Sequence, residues 1–294
     1  MSEAVETPAE LAKALEDTGY LADDGLATAA YLALRMNRPL FCEGEPGTGK
    51  TALAQALAQV LDAELVRLQC HEGIDASQAL YDWDFPRQLL HLRALEAAAG
   101  HERLDADTVE ASLYDQRFLI ARPVLRALRG AKRSVLLIDE VDRADDEFEA
   151  FLLEVLTEHA VTIPEVGEVR AEIPPLVVLT SNRTREVHDA LKRRCLYLWL
   201  DHPDVTREIA ILRSRLPGVP ERLAGRVAAA VRRMRGMELL KPPGVAESLD
   251  WAQALHLLGA DDLDVDTAAA SLGAVLKYRE DADRVRAQLD AVLA

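Results

Sequence analysis

Three observations predict an α/β architecture: a parallel sheet with helices on both faces, followed by a smaller, all-helical domain. Short apolar runs alternate with helical stretches through the first two thirds of the chain. One such run leads into a glycine-rich turn and then directly into a helix. Past Asp201-His202-Pro203 the strand signals stop and only amphipathic helices remain. Alternation of this kind is what a doubly covered parallel sheet requires, because each crossover between parallel strands needs its own helix.

Thr7-Pro8 opens a first helix, with threonine as cap and proline in the first turn. Asp23 and Asp24 open a second, running to about Met36. Residues 39–42 (PLFC) form a short apolar run that reads as the first strand, and residues 51–61 have helical spacing. Residues 64–70 are a second strand candidate. Residues 134–139 are a third, whose unbroken Val135-Leu136-Leu137-Ile138 core suits burial on both faces. Residues 176–181 and 196–200 supply the fourth and fifth. Residues 71–120 interrupt the alternation: a helix is expected over 87–99, followed by an irregular acidic connection, and so long a connection is more often functional than idle. Alternation around Val166-Gly167-Glu168 makes 161–173 a β-hairpin. Helices are expected at about 204–215, 220–236, 246–259, 265–277 and 280–293. The expected domains are 1–200 and 201–294.

The 294 residues are 49% hydrophobic and 29% charged, enough for a sizeable core. Aromatics are 5%, so that core rests on Ala, Leu and Val. The net charge of −16 makes the chain a poor general binder of polyanionic nucleic acid. Cys42, Cys70 and Cys195 are odd in number and far apart, without CxxC spacing, which argues against a disulfide framework or a zinc site. The seven histidines show no metal-binding spacing. The N-terminal segment is acidic with no apolar core of a secretory signal, and no run reaches membrane-spanning length, Gly25–Leu34 coming nearest. A cytoplasmic protein without a membrane span is expected.

Gly44-Glu45-Pro46-Gly47-Thr48-Gly49-Lys50-Thr51 fits G-x-x-x-x-G-K-[ST], the P-loop. Its glycines let successive backbone N–H groups point at phosphate oxygens. Lys50 brings a cation to the β- and γ-phosphates, and the Thr51 hydroxyl suits Mg²⁺. Val135–Ile138 ends in Asp139-Glu140, an apolar strand closed by two carboxylates. Asp139 is the candidate Mg²⁺ holder, and Glu140 the candidate base for water attacking the γ-phosphate of ATP. Absence of a guanine-reading N-K-x-D segment argues against a GTPase. Asn182 ends the fourth strand, where open α/β sheets bind ligands, and is a candidate to orient the attacking water beside Glu140. Lys192-Arg193-Arg194 precedes the fifth strand; from the residues alone, a solvated basic helix end and an arginine finger are equally good readings. Trp83, Tyr81 and Phe85 read as core before they read as a client patch.

Together these segments resemble the AAA+ ATPases, and within them the MoxR family, closest to the branch accompanying carbon monoxide dehydrogenase and similar molybdenum hydroxylases. GYLADDGLATAAYLALRMNRPLFCEGEPGTGKT, QCHEG, YDWDFPRQLL, LLIDEVDRAD, TSNRTRE, LKRRC and KPPGVAESLDWA carry the resemblance. It implies a nucleotide-binding α/β domain with strand order 5-1-4-3-2, a helical lid over 201–294, and a hexameric ring with ATP at subunit interfaces. It implies Asn182 as sensor 1, Arg194 as arginine finger with Arg193 as the alternative, and Tyr20 and Leu21 near the adenine. A von Willebrand factor A domain adaptor and a client metalloenzyme are the implied partners. The chain departs from many relatives at Glu247, where a sensor 2 arginine is expected: either another cation substitutes, or hydrolysis is slow and needs a partner. Arg232, Arg233 and Arg235 lie in the lid too, read first as a solvated helix face. An ATP-hydrolysing chaperone is the first reading, a nucleotide-gated assembly module the second, and a DNA-acting ATPase the third.

Overall fold

The computed structural model describes residues 5–99 and 105–294. They divide into two compact units. A P-loop unit takes in the chain up to Thr28, Glu43–Ala56 and Leu198–Ala294. A sheet unit takes in Ala29–Cys42 and Leu57–Tyr197.

Helix α1 (Pro8–Asp17) starts with a capping box, in which the Glu10 N–H donates to Thr7 Oγ1 at 3.2 Å and the Thr7 N–H to Glu10 Oε2 at 3.3 Å. Helix α2 (Asp24–Met36) is capped by Asp23, whose Oδ1 accepts the Leu26 N–H at 2.8 Å. It stops at Asn37, which is left-handed (φ 49°). Strand β1 (Leu40–Gly44) runs two residues beyond the expected end and is buried throughout; α3 (Lys50–Val60) and β2 (Glu64–Gln69) come next.

The long connection is more ordered than expected. It holds α4 (Ala76–Leu80), β3 (Tyr81–Trp83), α5 (Phe85–Ala99), α6 (Ala106–Leu113) and β4 (Leu119–Ala121). Strands β3 and β4 pair antiparallel, Tyr81 opposite Ala121 and Trp83 opposite Leu119, so a short ribbon ties the two ends of the excursion together. Part of the expected acidic connection, residues 100–104, lies outside the described residues. The remainder is helical rather than irregular over Ala106–Leu113, because Asp105 caps α6 by accepting the Thr108 N–H at 3.1 Å.

Helix α7 (Pro123–Arg129), β5 (Ser134–Asp139), α8 (Asp146–Glu158), β6 (Ala160–Ile163), β7 (Gly167–Arg170), β8 (Leu176–Ser181), α9 (Asp189–Arg194) and β9 (Leu196–Leu200) complete the first 200 residues. Strands β6 and β7 form the expected hairpin, Ile163 opposite Gly167, and Gly167 supplies the positive φ (91°) of its turn. The main sheet has five strands in the order β2-β5-β8-β1-β9. Counting only this sheet's strands along the chain and reading from the β9 edge, that is the expected 5-1-4-3-2; the labels differ because, among the described residues, β3, β4, β6 and β7 lie outside it. Strand β5 runs parallel to both neighbours, with Gln69 opposite Asp139 and Ile138 opposite Leu179. Phe41, Leu125, Leu136, Ile138, Phe148, Leu152 and Leu179 are among the residues filling the sheet unit's core.

In the P-loop unit the C-terminal stretch is helical throughout: α10 (Val205–Arg215), α11 (Glu221–Arg235), α12 (Val245–Leu257), α13 (Val265–Val275), α14 (Arg279–Arg286) and α15 (Leu289–Leu293). The expected single helix over 280–293 is two, broken near Ala287 and Gln288. Leu223, Val227, Val231, Trp251, Leu255 and Leu272 form its core. Trp251 is fully buried, and its indole N–H donates to Ser271 Oγ at 2.8 Å, satisfying the ring's one polar atom.

Candidate nucleotide-binding site

The P-loop unit gathers Tyr20, Leu21 and the whole Gly44–Thr51 segment. Gly47 (φ 81°) and Gly49 (φ 94°) sit in backbone regions that other residues rarely adopt, and a Cβ on Gly44 would lie 2.3 Å from the Leu200 carbonyl oxygen. The loop therefore depends on glycine at all three positions. The Lys50 ammonium is buried against its own loop, donating to Gly44 O at 2.8 Å and Glu45 O at 2.7 Å. Thr48 Oγ1 donates to Glu45 O at 3.0 Å. Lys50 and Thr51 open α3, so the positive end of that helix faces the loop.

Beside Thr48 and Gly49 lies a cavity of about 490 Å³, bordered by Tyr20, Leu21, Ile211, Val245 and Leu249. Its apolar wall suits a flat base and its P-loop end suits phosphates. Arg207 anchors that wall, donating to the Leu21 carbonyl at 2.5 Å and pairing with Asp23 at 2.7 Å. Burial pushes the Asp23 carboxyl up, but the Leu26 N–H and Arg207 outweigh it and hold the group below its usual range.

The sheet unit gathers Asp139, Glu140 and Asn182. Asp139 is buried; its Oδ1 accepts the Thr180 hydroxyl at 2.5 Å and its Oδ2 accepts Arg67 at 3.1 and 2.5 Å. Glu140 is left-handed (φ 55°), a strained conformation for a non-glycine residue, and its N–H donates to Thr180 Oγ1 at 2.9 Å. That turn presents the Glu140 carboxylate to three donors: Asn182 Nδ2 on Oε1 at 3.2 Å, and Gln69 Nε2 and Arg143 on Oε2 at 3.0 and 2.9 Å. Asp142 locks the strand end from below, with Oδ2 accepting the Asn182 and Thr184 N–H groups at 3.2 and 2.8 Å. Among the described residues, its buried Oδ1 has no hydrogen-bond partner.

Arg193 and Arg194 end α9 with exposed side chains, and among the described residues no hydrogen bond or ion pair joins them to Glu140 or Asn182. Glu247 is engaged locally: its Oε2 accepts the Gly244 N–H at 3.0 Å, capping α12.

Two expectations need correction. Arg235 is no solvated residue: it forms a buried bidentate pair with Glu208 at 2.7 and 2.8 Å and donates to Pro243 O at 2.7 Å. Arg232 and Arg233 do have exposed side chains. The aromatic run is not uniformly core but splits, Trp83 being buried and Phe85 67% exposed. All three cysteines are buried. Burial, with the charges of Asp139, Asp142, Glu140 and Glu149, pushes the Cys70 thiol up to about 12, and burial does the same to Cys195, which favours the protonated thiol at both.

Within the P-loop unit, a glycine-lined cradle, a buried lysine and a helix start suit phosphates. Each unit by itself carries a hard oxygen of the kind Mg²⁺ prefers: the Thr51 hydroxyl in the P-loop unit and the Asp139 carboxylate in the sheet unit. Among the described residues, no group of three or more His, Cys, Asp and Glu side chains could hold a metal by itself, and no helix is long and apolar enough to cross a membrane. Sequence reasoning missed Arg67, Gln69, Arg143 and the role of Thr180. The signal for Arg67 and Gln69 was their alternation with buried Val66 and Leu68, which puts both on one face of β2.

A family model described as AAA domain (dynein-related subfamily) matches residues 39–195. Uncharacterized proteins of Staphylococcus aureus strains USA300 and NCTC 8325 are each 24% identical over 176 residues, covering 58% of this chain and 57% of their own length. The chain thus spans less than two thirds of the relatives it matches. Among solved structures, the RuvB Holliday junction branch migration motor of Thermotoga maritima is 16% identical, covering 92% of this chain and 72% of its own, with a TM-score of 0.47. A mutant of that motor is 17% identical, covering 92% and 70%, with a TM-score of 0.48. The family match takes in more than half of the chain, including the P-loop, Asp139, Glu140 and Asn182, and so this chain belongs to the AAA domains of the dynein-related subfamily.

Proposed function

We propose that the chain binds ATP with Mg²⁺ and hydrolyses it to ADP and phosphate as a MoxR-type AAA+ chaperone. The observation that carries this reading is the carboxylate of Glu140, turned out by a left-handed backbone and held by Asn182. A base held in one orientation can take the proton of an attacking water without first being ordered. In this reading Lys50 and the loop amides bind the β- and γ-phosphates, and Tyr20 and Leu21 border the adenine. Thr51 and Asp139 would hold Mg²⁺, which neutralises charge on the phosphate oxygens when bound. Glu140 accepts the proton of the water that attacks the γ-phosphorus, and Asn182 orients that water. Arg194, or alternatively Arg193, reaches the phosphates of a neighbouring copy in a hexameric ring. Residues 201–294 act as a lid that follows the nucleotide. We further infer a cytoplasmic setting, a von Willebrand factor A domain adaptor and a client metalloenzyme as partners; resemblance supports these, and the net charge of −16 speaks against nucleic acid as the substrate.

Two variants test the reading. Lys50→Ala should lose ATP binding in calorimetry. Glu140→Gln should bind ATP normally yet release no phosphate; normal turnover by purified Glu140→Gln would remove Glu140 from the role of base. A second reading, a nucleotide-gated assembly module, draws support from Glu247, whose carboxylate is spent on its own helix cap and brings no cation to a phosphate. Absence of phosphate release by the chain, both alone and with a partner, favours that module.

A further inference from the structure

Arg38 sits just ahead of β1, outside the P-loop, and makes a concentrated set of contacts within the sheet unit. Its Nε donates to the Arg194 carbonyl at 3.2 Å; its Nη2 donates to the Arg193 carbonyl at 3.0 Å and to the Cys195 carbonyl at 3.1 Å. One guanidinium thus takes the three successive carbonyls at the C-terminal end of α9. A helix leaves its last carbonyls without intrahelical partners, and a planar fork of fixed donors suits several of them at once. The fork is itself held from both sides. The Arg38 N–H donates to Ala33 O at 3.1 Å, closing α2, and the next residue, Pro39, accepts the Leu196 N–H at 2.8 Å. The anchored backbone of residues 193–195 carries two exposed arginines whose side chains engage no hydrogen bond or ion pair among the described residues. The molecule thus fixes the main chain beneath two cations and leaves the cations themselves to reach outward.

We propose that Arg38 is a positioning residue for the Arg193–Arg194 pair: it fixes their backbone so that the finger meets the phosphates of a neighbouring copy. This rests on the proposed function above, and in particular on the finger being supplied by one subunit to another. An arginine finger is worth orders of magnitude in rate only when its geometry is held, and about an ångström of misplacement can cost about a hundredfold.

The test is subunit mixing with the full chain. Arg38→Ala should lower kcat for ATP about tenfold to a hundredfold while ATP affinity stays within about twofold, because the lost contact acts only in the transition state. Arg38→Lys, which keeps the charge but not the fork, should recover part of the loss. Arg38→Ala mixed with Lys50→Ala should be more active than either alone: the first supplies intact nucleotide sites, the second supplies well-held fingers. A variant in which both Arg193 and Arg194 are alanine, mixed with Lys50→Ala, is the control. Recovery in the control but none with Arg38→Ala overturns the inference alone, as does an unchanged kcat for Arg38→Ala. No recovery in the control overturns the shared-finger reading and the inference with it. A purely structural role for Arg38 would lower the melting temperature and give no recovery on mixing, which also counts against the proposal.

Discussion

Gly47 of the P-loop and Gly244 at the start of α12 are in backbone contact. A Cβ built on Gly244 would lie 2.6 Å from the Gly47 Cα, and the Val245 N–H donates to the Gly47 carbonyl at 2.9 Å. Two glycines facing each other are what permit a helix to dock on a phosphate-binding loop with no side chain between. Gly244→Ala should force the two segments apart. The expected result is weaker ATP binding together with about 1–3 kcal/mol of destabilisation from overpacking. Calorimetry with ATP and a thermal melt read the two effects separately; unchanged ATP affinity would show that the contact is not part of the nucleotide site.

Glu247 stands at the third residue of α12 and caps the helix through the Gly244 N–H. Its role can be separated from that of a phosphate contact. Glu247→Gln keeps an oxygen that accepts the same N–H and should leave the melting temperature nearly unchanged. Glu247→Ala removes the acceptor and should cost about 0.5–2 kcal/mol, the usual range for a lost cap. If the carboxylate's charge mattered beyond the cap, the glutamine variant would change ATP turnover by more than a few-fold, which steady-state phosphate release would detect.

Asn182 donates to Glu140 at 3.2 Å while its own backbone N–H is held by Asp142 at 3.2 Å. The side chain is thus tied to a fixed strand end on one side and to the candidate base on the other. Asn182→Ala should lower kcat about a hundredfold with little change in ATP affinity, since orienting a base and its water contributes on that order. Asn182→Asp should be no better, because a second carboxylate cannot donate to the first. A large loss of ATP affinity in Asn182→Ala would assign the residue to binding instead.

How much of this was legible depended on whether chemistry or contact decided the residue. The P-loop was readable because a phosphate cradle demands fixed residue types at fixed spacing, and Asp139-Glu140 was readable as the end of a buried strand. Strands over 134–139, 176–181 and 196–200 were readable to the residue, the first two because a strand buried on both faces is a continuous apolar run. Gln69 was not readable as a partner of Glu140, because that contact exists only through the register that sets Gln69 opposite Asp139. The β3–β4 ribbon is three residues a side and pairs positions about 40 apart, so no local pattern announces it. Arg235 looked like any cation in a helix's last turn, and only the fold brings Glu208 to it.

That pair carries its own prediction. Arg235 is 10% exposed and Glu208 fully buried at the side chain, and Glu208 Oε1 also accepts the Ser248 hydroxyl at 2.6 Å. Removing one partner leaves a buried charge with nothing to balance it. Glu208→Ala and Arg235→Ala should each destabilise by about 3–5 kcal/mol, whereas the double variant should cost less than the sum of the two. Urea unfolding of all four proteins checks this, and strict additivity would mean that the two charges do not depend on each other.

His202 gives a prediction in pH. Its Nε2 lies 3.1 Å from Glu45 Oε2, on the P-loop, while its buried Nδ1 has no partner among the described residues. Burial and then the Arg235 charge push its pKa below the ordinary 6.5, and the weaker pull of Glu45 and Glu208 does not reverse this. The imidazole is therefore neutral in the folded protein at neutral pH. Between the lowered folded pKa and the ordinary unfolded one, the unfolded chain binds more protons than the folded chain, so stability rises with pH across that window. The contribution is complete above about pH 6.5 and is lost as pH falls toward the folded pKa. His159 is lowered by burial and by Arg170 and acts in the same direction, so the wild-type dependence is the sum of both. The urea midpoint should fall between about pH 7.5 and about pH 5.5, and His202→Gln, which titrates nowhere in that range, should show a smaller fall. An equal fall in the variant would mean that His202 takes up its proton as readily folded as unfolded, which would overturn the prediction.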